Sequence, residues 1–399
     1  IGLDIDPQKI KLLKKGQVPF YEPNLEELLV SQQQAGRLTF TTNYRLAISQ
    51  ADLIVIAVGT PSMSSGAINL SYVEKACTEL APFLKDKAII AIKSTVPPDI
   101  ISKIQPLISN NTSSHFYLAT LPEFLKEGSA VNDTLHPDRI IIGSTDSEVI
   151  EMLKTLHQPL NAPILVVKPQ SAQMIKYTAN AYLATRITFI NQIADLCEHN
   201  GAIIDEVIQG IGYDKRIGSH YWYPGLGYGG SCFPKDVNQL ASYAKDVGEP
   251  ENLMVTLATL NQARIPKLLS KIESMINGFE QQTVAVLGLS FKPHTNDTRE
   301  SPASHIIPKL LNKGAIVRAY DPKAVWEPES NRDRYHQCPT LKECLKEARM
   351  ILALVEWPEF LEYPFESTDH PVLFFDARNQ FSFEELTKLG FTYLGIGRQ

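Results

Sequence analysis

The sequence predicts an α/β protein made of two doubly wound parallel sheets joined by a helical middle section with one long central helix. Three observations carry that prediction. Short apolar runs alternate with amphipathic stretches of helical length through the first 165 residues. Residues 170–200 then contain neither Gly nor Pro, and the strand–helix alternation resumes at Thr283.

At about 100–200 residues per domain, 399 residues predict two or three domains. The expected division is 1–165, 166–270 and 271–399. Residues 1–7 read as the end of a strand running into a helix at Pro7, which sets the expectation that a further strand precedes them. Buried strands are expected at 53–58, 88–92, 116–119 and 139–142, with helices between them. Pro169 and Gly201 bracket the long helix as start and stop signals. At 1.5 Å per residue it spans roughly 45 Å, enough to connect domains or form a dimer spine. The second alternation gives a strand at 283–287, a helix at 301–312 and a strand at 315–320 followed by Asp321. Two nucleotide-binding-like halves therefore flank a helical middle.

Lys plus Arg total 38 against 44 for Asp plus Glu, a net charge of -6, which argues against general binding to nucleic acid or anionic membrane. No run approaches the roughly 18 apolar residues of a membrane span, and no leader pattern opens the chain, so a cytoplasmic protein is expected. The five cysteines are odd in number and lack paired C-x-x-C spacing, which indicates neither a disulfide framework nor a metal site.

Asp4 stands at the end of an apolar run, where a dinucleotide fold places the acid that binds the adenosine ribose; helix capping by Asp4 and Asp6 is the competing reading. Val58-Gly59-Thr60-Pro61-Ser62 and Lys93-Ser94-Thr95-Val96-Pro97 put small and hydroxyl residues at carboxyl strand ends, where open α/β sheets bind ligands, although such residues punctuate ordinary turns as well. Glu123 and Glu127 share a face if their turn is helical. Lys176 and Asn180, four apart on the long helix, offer a cation and an amide to a developing oxyanion; a solvated helix face is the default for such a pair.

The most specific stretch is Gly225-Leu226-Gly227-Tyr228-Gly229-Gly230-Ser231-Cys232-Phe233-Pro234-Lys235-Asp236. Its glycines let backbone close on a ligand, and Pro234 suits a first helical turn. Cys232 then sits at a helix N-terminus, where the dipole favours thiolate, with Asp236 one turn on as a candidate acid or base. Most lone cysteines are inert core residues. A glycine loop and a Lys-Asp pair are poor company for a core position. Lys292, Arg299 and Arg378 stand at strand ends and helix starts, natural places to meet a diphosphate.

In this order, these stretches resemble the UDP-glucose/GDP-mannose dehydrogenase family, most of all its UDP-glucose 6-dehydrogenase branch, along essentially the whole chain. The resemblance implies two Rossmann-like domains, NAD as cofactor, a UDP-sugar substrate, a homodimer or larger homo-oligomer, and oxidation of C6 from alcohol to acid through a thioester on Cys232. It further implies oxyanion stabilisation by Lys176 and Asn180, water activation by Asp236 and Thr95, and thioester hydrolysis assisted by Glu123. NAD contacts are implied at Asp4, Lys9, Gly59, Thr60, Thr95, Glu127, Lys235 and Arg299. Sugar-nucleotide contacts are implied at Glu123, Phe124, Leu125, Lys126, Lys176 and Asn180, at Tyr223, Gly225, Gly227, Tyr228 and Gly229, and at Phe291, Lys292 and Arg378. Arg216 matches an arginine that reaches the neighbouring subunit's substrate. The family's glycine-rich pyrophosphate loop is expected upstream of Ile1. UDP-N-acetylmannosamine and GDP-mannose are the related substrates, and a nucleotide-sugar binding protein without catalysis is the non-enzymatic alternative.

Overall fold

The computed structural model describes residues 1–398, which form two compact units. One comprises residues 1–179 and 239–250, the other 180–238 and the described residues from 251 on, Gln399 lying outside the described residues.

In the first unit, β1 (Gly2–Leu3) pairs in parallel with β2 (Phe40–Thr41). A second sheet has the order β3 (Leu53–Ile56), β4 (Ala88–Ile92), β5 (Phe116–Thr120), β6 (Ile140–Gly143), β7 (Ile164–Val167). All five residues of β4 are buried. Ala88, Ile90 and Ile92 enter one apolar cluster while Ile89 and Ala91 enter another. Period-two alternation thus feeds a core on each face, as a doubly wound sheet requires. The expectation of an all-parallel sheet fails at one place, because β5 meets β6 antiparallel through the single pair Thr120 and Gly143. Strand β3 also stops at Ile56, leaving Val58 and Gly59 in the loop beyond it.

Asp6 decides the reading of the first turn. Its carboxylate accepts the N–H groups of Gln8 and Lys9 and caps helix Pro7–Lys14, whose first residue is the proline. Asp4 is not the cap.

The second unit holds a six-stranded sheet, entirely parallel, in the order β10 (Tyr335–Gln337), β9 (Ile316–Tyr320), β8 (Thr283–Leu287), β11 (Met350–Ala353), β12 (Val372–Asp376), β13 (Phe391–Leu394). Each residue of β11 and β12 is buried. Ser301 caps helix Pro302–Asn312 by accepting the N–H of Ser304 at 3.1 Å. Along the chain from β7 to β8 the helices are Pro169–Asn200, Ile204–Gly212, Phe233–Asp246 and Leu253–Ile276. The first of these has 32 residues, about 48 Å at 1.5 Å each.

Candidate active site

The first unit gathers part of the expected site at the carboxyl ends of β3, β4 and β5, which are neighbours in register. Gly59 and Thr60 follow β3, Thr95 follows β4, and Glu123 follows β5. Ser94 Oγ donates to the Val58 carbonyl at 2.6 Å and ties the first two loops together. A Cβ added at Gly59 would meet nothing within 4 Å, so the backbone there faces open space. Asp4 accepts the N–H of Asp6 at 2.9 Å and the ammonium of Lys9 at 2.6 Å. Burial raises the Asp4 carboxyl, but the hydrogen bonds from Lys9 and the Asp6 backbone bring it below its ordinary range. An anchored carboxylate at a strand end and an open backbone approach suit the ribose and phosphates of a dinucleotide.

Residues 121–126 have no helical turn, so Glu123 and Glu127 do not share a helix face as expected. Glu123 instead accepts the Leu125 N–H at 2.5 Å through Oε2 and pairs with Lys176 at 2.9 Å through Oε1. Lys176 is buried, 2% exposed, and its ammonium lies 5.5 Å from the centre of the Phe124 ring. A buried lysine with a carboxylate partner is not a solvated helix face. Lys126 pairs with Asp133 at 3.4 Å, and Asp133 also accepts the Lys126 N–H.

Two residues here had no role assigned from the sequence. Lys93, just past β4, is held below the ordinary lysine range chiefly by burial and further by Lys176, while Glu123 draws it back up. Glu22 accepts the N–H groups of Gly128 and Ala130, each at 2.7 Å, and so anchors the end of the Glu123–Glu127 segment. Lys93 had only its place at a strand end to mark it. Glu22 had nothing, since its partners lie more than a hundred residues away.

In the second unit, Cys232 directly precedes helix Phe233–Asp246. Its carbonyl accepts the Asp236 N–H at 2.9 Å, so it is the N-cap residue that the position of Pro234 implied. The thiol is half-buried, 3.7 Å from Ser231 Oγ. One turn on, Asp236 is 1% exposed and both its oxygens have donors: Lys235 Nζ at 2.6 Å and Asn180 Nδ2 at 2.5 Å. Among the described residues the five cysteines form no disulfide.

The glycine loop is packed against the segments that follow β8 and β12. A Cβ at Gly229 would come within 2.3 Å of the Glu300 carbonyl, so that approach needs glycine. Gly227 has φ +97°, and a Cβ there would meet Asn261 Oδ1 at 2.3 Å. A Cβ at Gly230 would strike the Phe291 ring, and one at Gly225 would lie 3.7 Å from the Arg378 guanidinium. Arg378 donates to the carbonyls of Leu354 at 3.1 Å and Phe291 at 3.3 Å and pairs with Glu356 at 3.1 Å. The Lys292 ammonium stands 5.6 Å from the centre of the Phe291 ring. The structure thus brings the glycine loop, Phe291 and Arg378 together. Burial raises the Tyr228 hydroxyl above its ordinary value. Arg299 forks onto Asp297 and Arg216 onto Asp214, each at the surface and two residues from its partner. Tyr223 is exposed and packs against Tyr221 with ring centres 5.5 Å apart.

Residues 1–161 match the NAD-binding domain of the UDP-glucose/GDP-mannose dehydrogenase family, 170–263 its central domain and 285–382 its UDP-binding domain. The chain belongs to this family. Like its other members it is an NAD-dependent dehydrogenase, with a domain for the UDP moiety of the substrate. UDP-glucose 6-dehydrogenase TuaD of Bacillus subtilis is 39% identical over 99% of this chain and 87% of its own length. The UDP-glucose 6-dehydrogenase of Rhizobium meliloti is 39% identical over the whole chain and 94% of its own. Among solved structures, the UDP-glucose dehydrogenase of Pyrobaculum islandicum superposes with a TM-score of 0.92 at 31% identity, covering all of this chain and 92% of that one. A UDP-D-ManNAc dehydrogenase from Pyrococcus horikoshii gives 0.86 at 27% identity, covering 100% and 93%.

Proposed function

We propose that this protein oxidises C6 of UDP-glucose to the carboxylate of UDP-glucuronate in two successive two-electron steps, through a thiohemiacetal and a thioester on Cys232. The observation that carries this reading is the capping position of Cys232, one helical turn from the doubly held Asp236. An alcohol needs only a base and a hydride acceptor to become an aldehyde. The aldehyde has no hydride to give up until a nucleophile makes its carbon tetrahedral, and a thiolate at a helix N-terminus supplies one.

NAD, when bound, accepts the hydride; Asp4, Lys9, Gly59, Thr60, Thr95, Glu127, Lys235 and Arg299 are the residues proposed to hold it. Addition of the Cys232 sulfur to the C6 aldehyde gives an oxyanion, for which Lys176 and Asn180 are the proposed donors. Loss of hydride from that adduct leaves the thioester. Water placed by Thr95 and Asp236, with Glu123 taking its proton, adds to the thioester carbonyl; the C–S bond breaks, the acid leaves and the thiol is restored. The backbone of residues 123–126, Tyr223, Gly225, Gly227, Tyr228, Gly229, Phe291, Lys292 and Arg378 are proposed to bind the UDP-sugar. The clustering of the loop with Phe291 and Arg378 supports that assignment.

The names of the curated relatives support glucose as the sugar. The proposed domain division is 1–165, 166–270 and 271–399, with the family matches to 1–161, 170–263 and 285–382 as its support, and a cytoplasmic site is where a nucleotide-sugar substrate would be met. A homodimer is supported by the long helix, where Tyr182, Phe189 and Leu196 stand seven residues apart and are each at least half exposed. In such a dimer Arg216 would reach the partner's substrate. The test is NADH release against a panel of UDP- and GDP-sugars: two NADH per UDP-glucose are expected. One NADH per sugar, or binding without turnover, would exclude the four-electron reaction.

A further inference from the structure

The glycine loop is fastened at two points by helices far from it in sequence. At Gly225, Asn191 Oδ1 accepts the N–H at 2.8 Å while Arg264 Nε donates to the carbonyl at 2.9 Å. At Tyr228, the amide of Asn261 accepts the N–H and donates to the carbonyl, both at 2.9 Å. Asn261 and Arg264 are three residues apart on helix Leu253–Ile276, so one helix face holds both fastenings. Asn191 and Asp195 are four apart on the long helix.

Arg264 is 3% exposed. Its charge is met by Asp195, which takes Arg264 Nη1 on one oxygen and Lys267 Nζ on the other at 2.7 Å. Burial raises the Asp195 carboxyl, and the hydrogen bonds from Lys267 and Arg264 bring it below its ordinary range. A buried pair of this kind is a poor way to gain stability, because apolar residues of similar volume often do as well. Its distinguishing property is geometric. A guanidinium is a rigid planar fork, so fixing Nη1 on Asp195 fixes the direction in which Nε points and hence the place of the Gly225 carbonyl.

We propose that Arg264, oriented by Asp195, is a positioning residue that holds the glycine loop in its UDP-sugar-binding shape. This rests on the reading above, that the loop binds substrate. It assigns Arg264 to affinity, not to the chemical step.

The deciding variants are Arg264→Lys, which keeps the charge beside Asp195 but loses the fork, and the double variant Asp195→Leu/Arg264→Met, which removes both charges together. Gly227→Ala disturbs the loop directly. For each, the dissociation constant of UDP-glucose is measured by calorimetry, KM and kcat by NADH release, and folding by thermal melting. The expected result for the two Arg264 variants is a UDP-glucose dissociation constant and KM raised about ten- to a hundredfold, the size of a lost charge-assisted hydrogen bond, with kcat changed far less and a melt close to wild type, while Gly227→Ala weakens binding and lowers the melt because its Cβ is strained there. Should the double variant fail to fold, Arg264→Lys alone decides. Unchanged affinity in folded Arg264 variants, with Gly227→Ala weakened, overturns the role of Arg264. Unchanged affinity in Gly227→Ala as well overturns the reading of the loop itself.

Discussion

Asn180 Nδ2 donates to Asp236 Oδ2 at 2.5 Å, joining the long helix to the first turn of the helix that Cys232 opens. With Lys235 on the other oxygen, the carboxylate has no freedom to rotate. Asp236→Asn would set an amide N–H₂ against one of these two donors. We expect kcat to fall about 10²- to 10³-fold, as when one element of a preorganised site is lost, with UDP-glucose binding little changed. Steady-state kinetics beside calorimetry measure this; a kcat within a factor of three of wild type would remove Asp236 from the machinery.

Cys232→Ser replaces a thiol with a poorer nucleophile of nearly the same shape. Acid release should stop while UDP-glucose still binds. Product analysis by mass spectrometry distinguishes the outcomes: continued formation of UDP-glucuronate at the wild-type rate excludes a covalent role for the sulfur.

Lys176→Ala removes a buried ammonium from Glu123. An ammonium aimed at a developing oxyanion acts on the transition state, so kcat should drop by about 10² or more while the dissociation constant of UDP-glucose moves little. A loss confined to binding would contradict the assignment.

Glu22→Gln leaves one acceptor oxygen where two backbone N–H groups need one each. The orphaned donor should cost about 1–3 kcal/mol of stability, read by urea unfolding. Because the freed backbone adjoins the segment that carries Glu123, kcat should fall as well. Stability and kcat both equal to wild type would show that Glu22 is not what orders residues 123–130.

Asp195 sets a pH dependence. Its folded-state pKa lies below the ordinary 3.8, so the stability it contributes is fully present above about pH 4 and is lost as pH falls through the folded value. Wild type should therefore exceed Asp195→Asn in stability at pH 6, and the gap should narrow below pH 4. A gap that stays constant from pH 6 to pH 3 would show that the folded and unfolded states bind protons alike at this site.

Features written in local pattern were legible from the sequence. Residues 88–92 form β4 because five apolar residues between helical stretches suit a strand buried on both faces. Cys232 could be placed at a helix N-terminus from Pro234 two residues later. Partnerships across the chain were not legible. Glu22 meets Gly128, and Arg264 meets Asp195, through folding that no periodicity encodes. The Glu123 turn misled for a related reason: four-residue spacing implies a shared face only inside a helix, and residues 121–126 form none.

Asp321 directly follows β9, at the place where a dinucleotide fold keeps its ribose-binding acid. Here one oxygen accepts from the backbone of Leu289 and Ser290, the Ser290 hydroxyl and the Trp357 indole. The other accepts the N–H groups of Lys323 and Ala324. A carboxylate offers about four lone-pair sites, and these six donors more than fill them. The second sheet therefore keeps the outline of a cofactor fold while its acid, spent on the chain's own donors, has no acceptor left for a ribose. One polypeptide can carry two copies of the same architecture without their competing for the same dinucleotide.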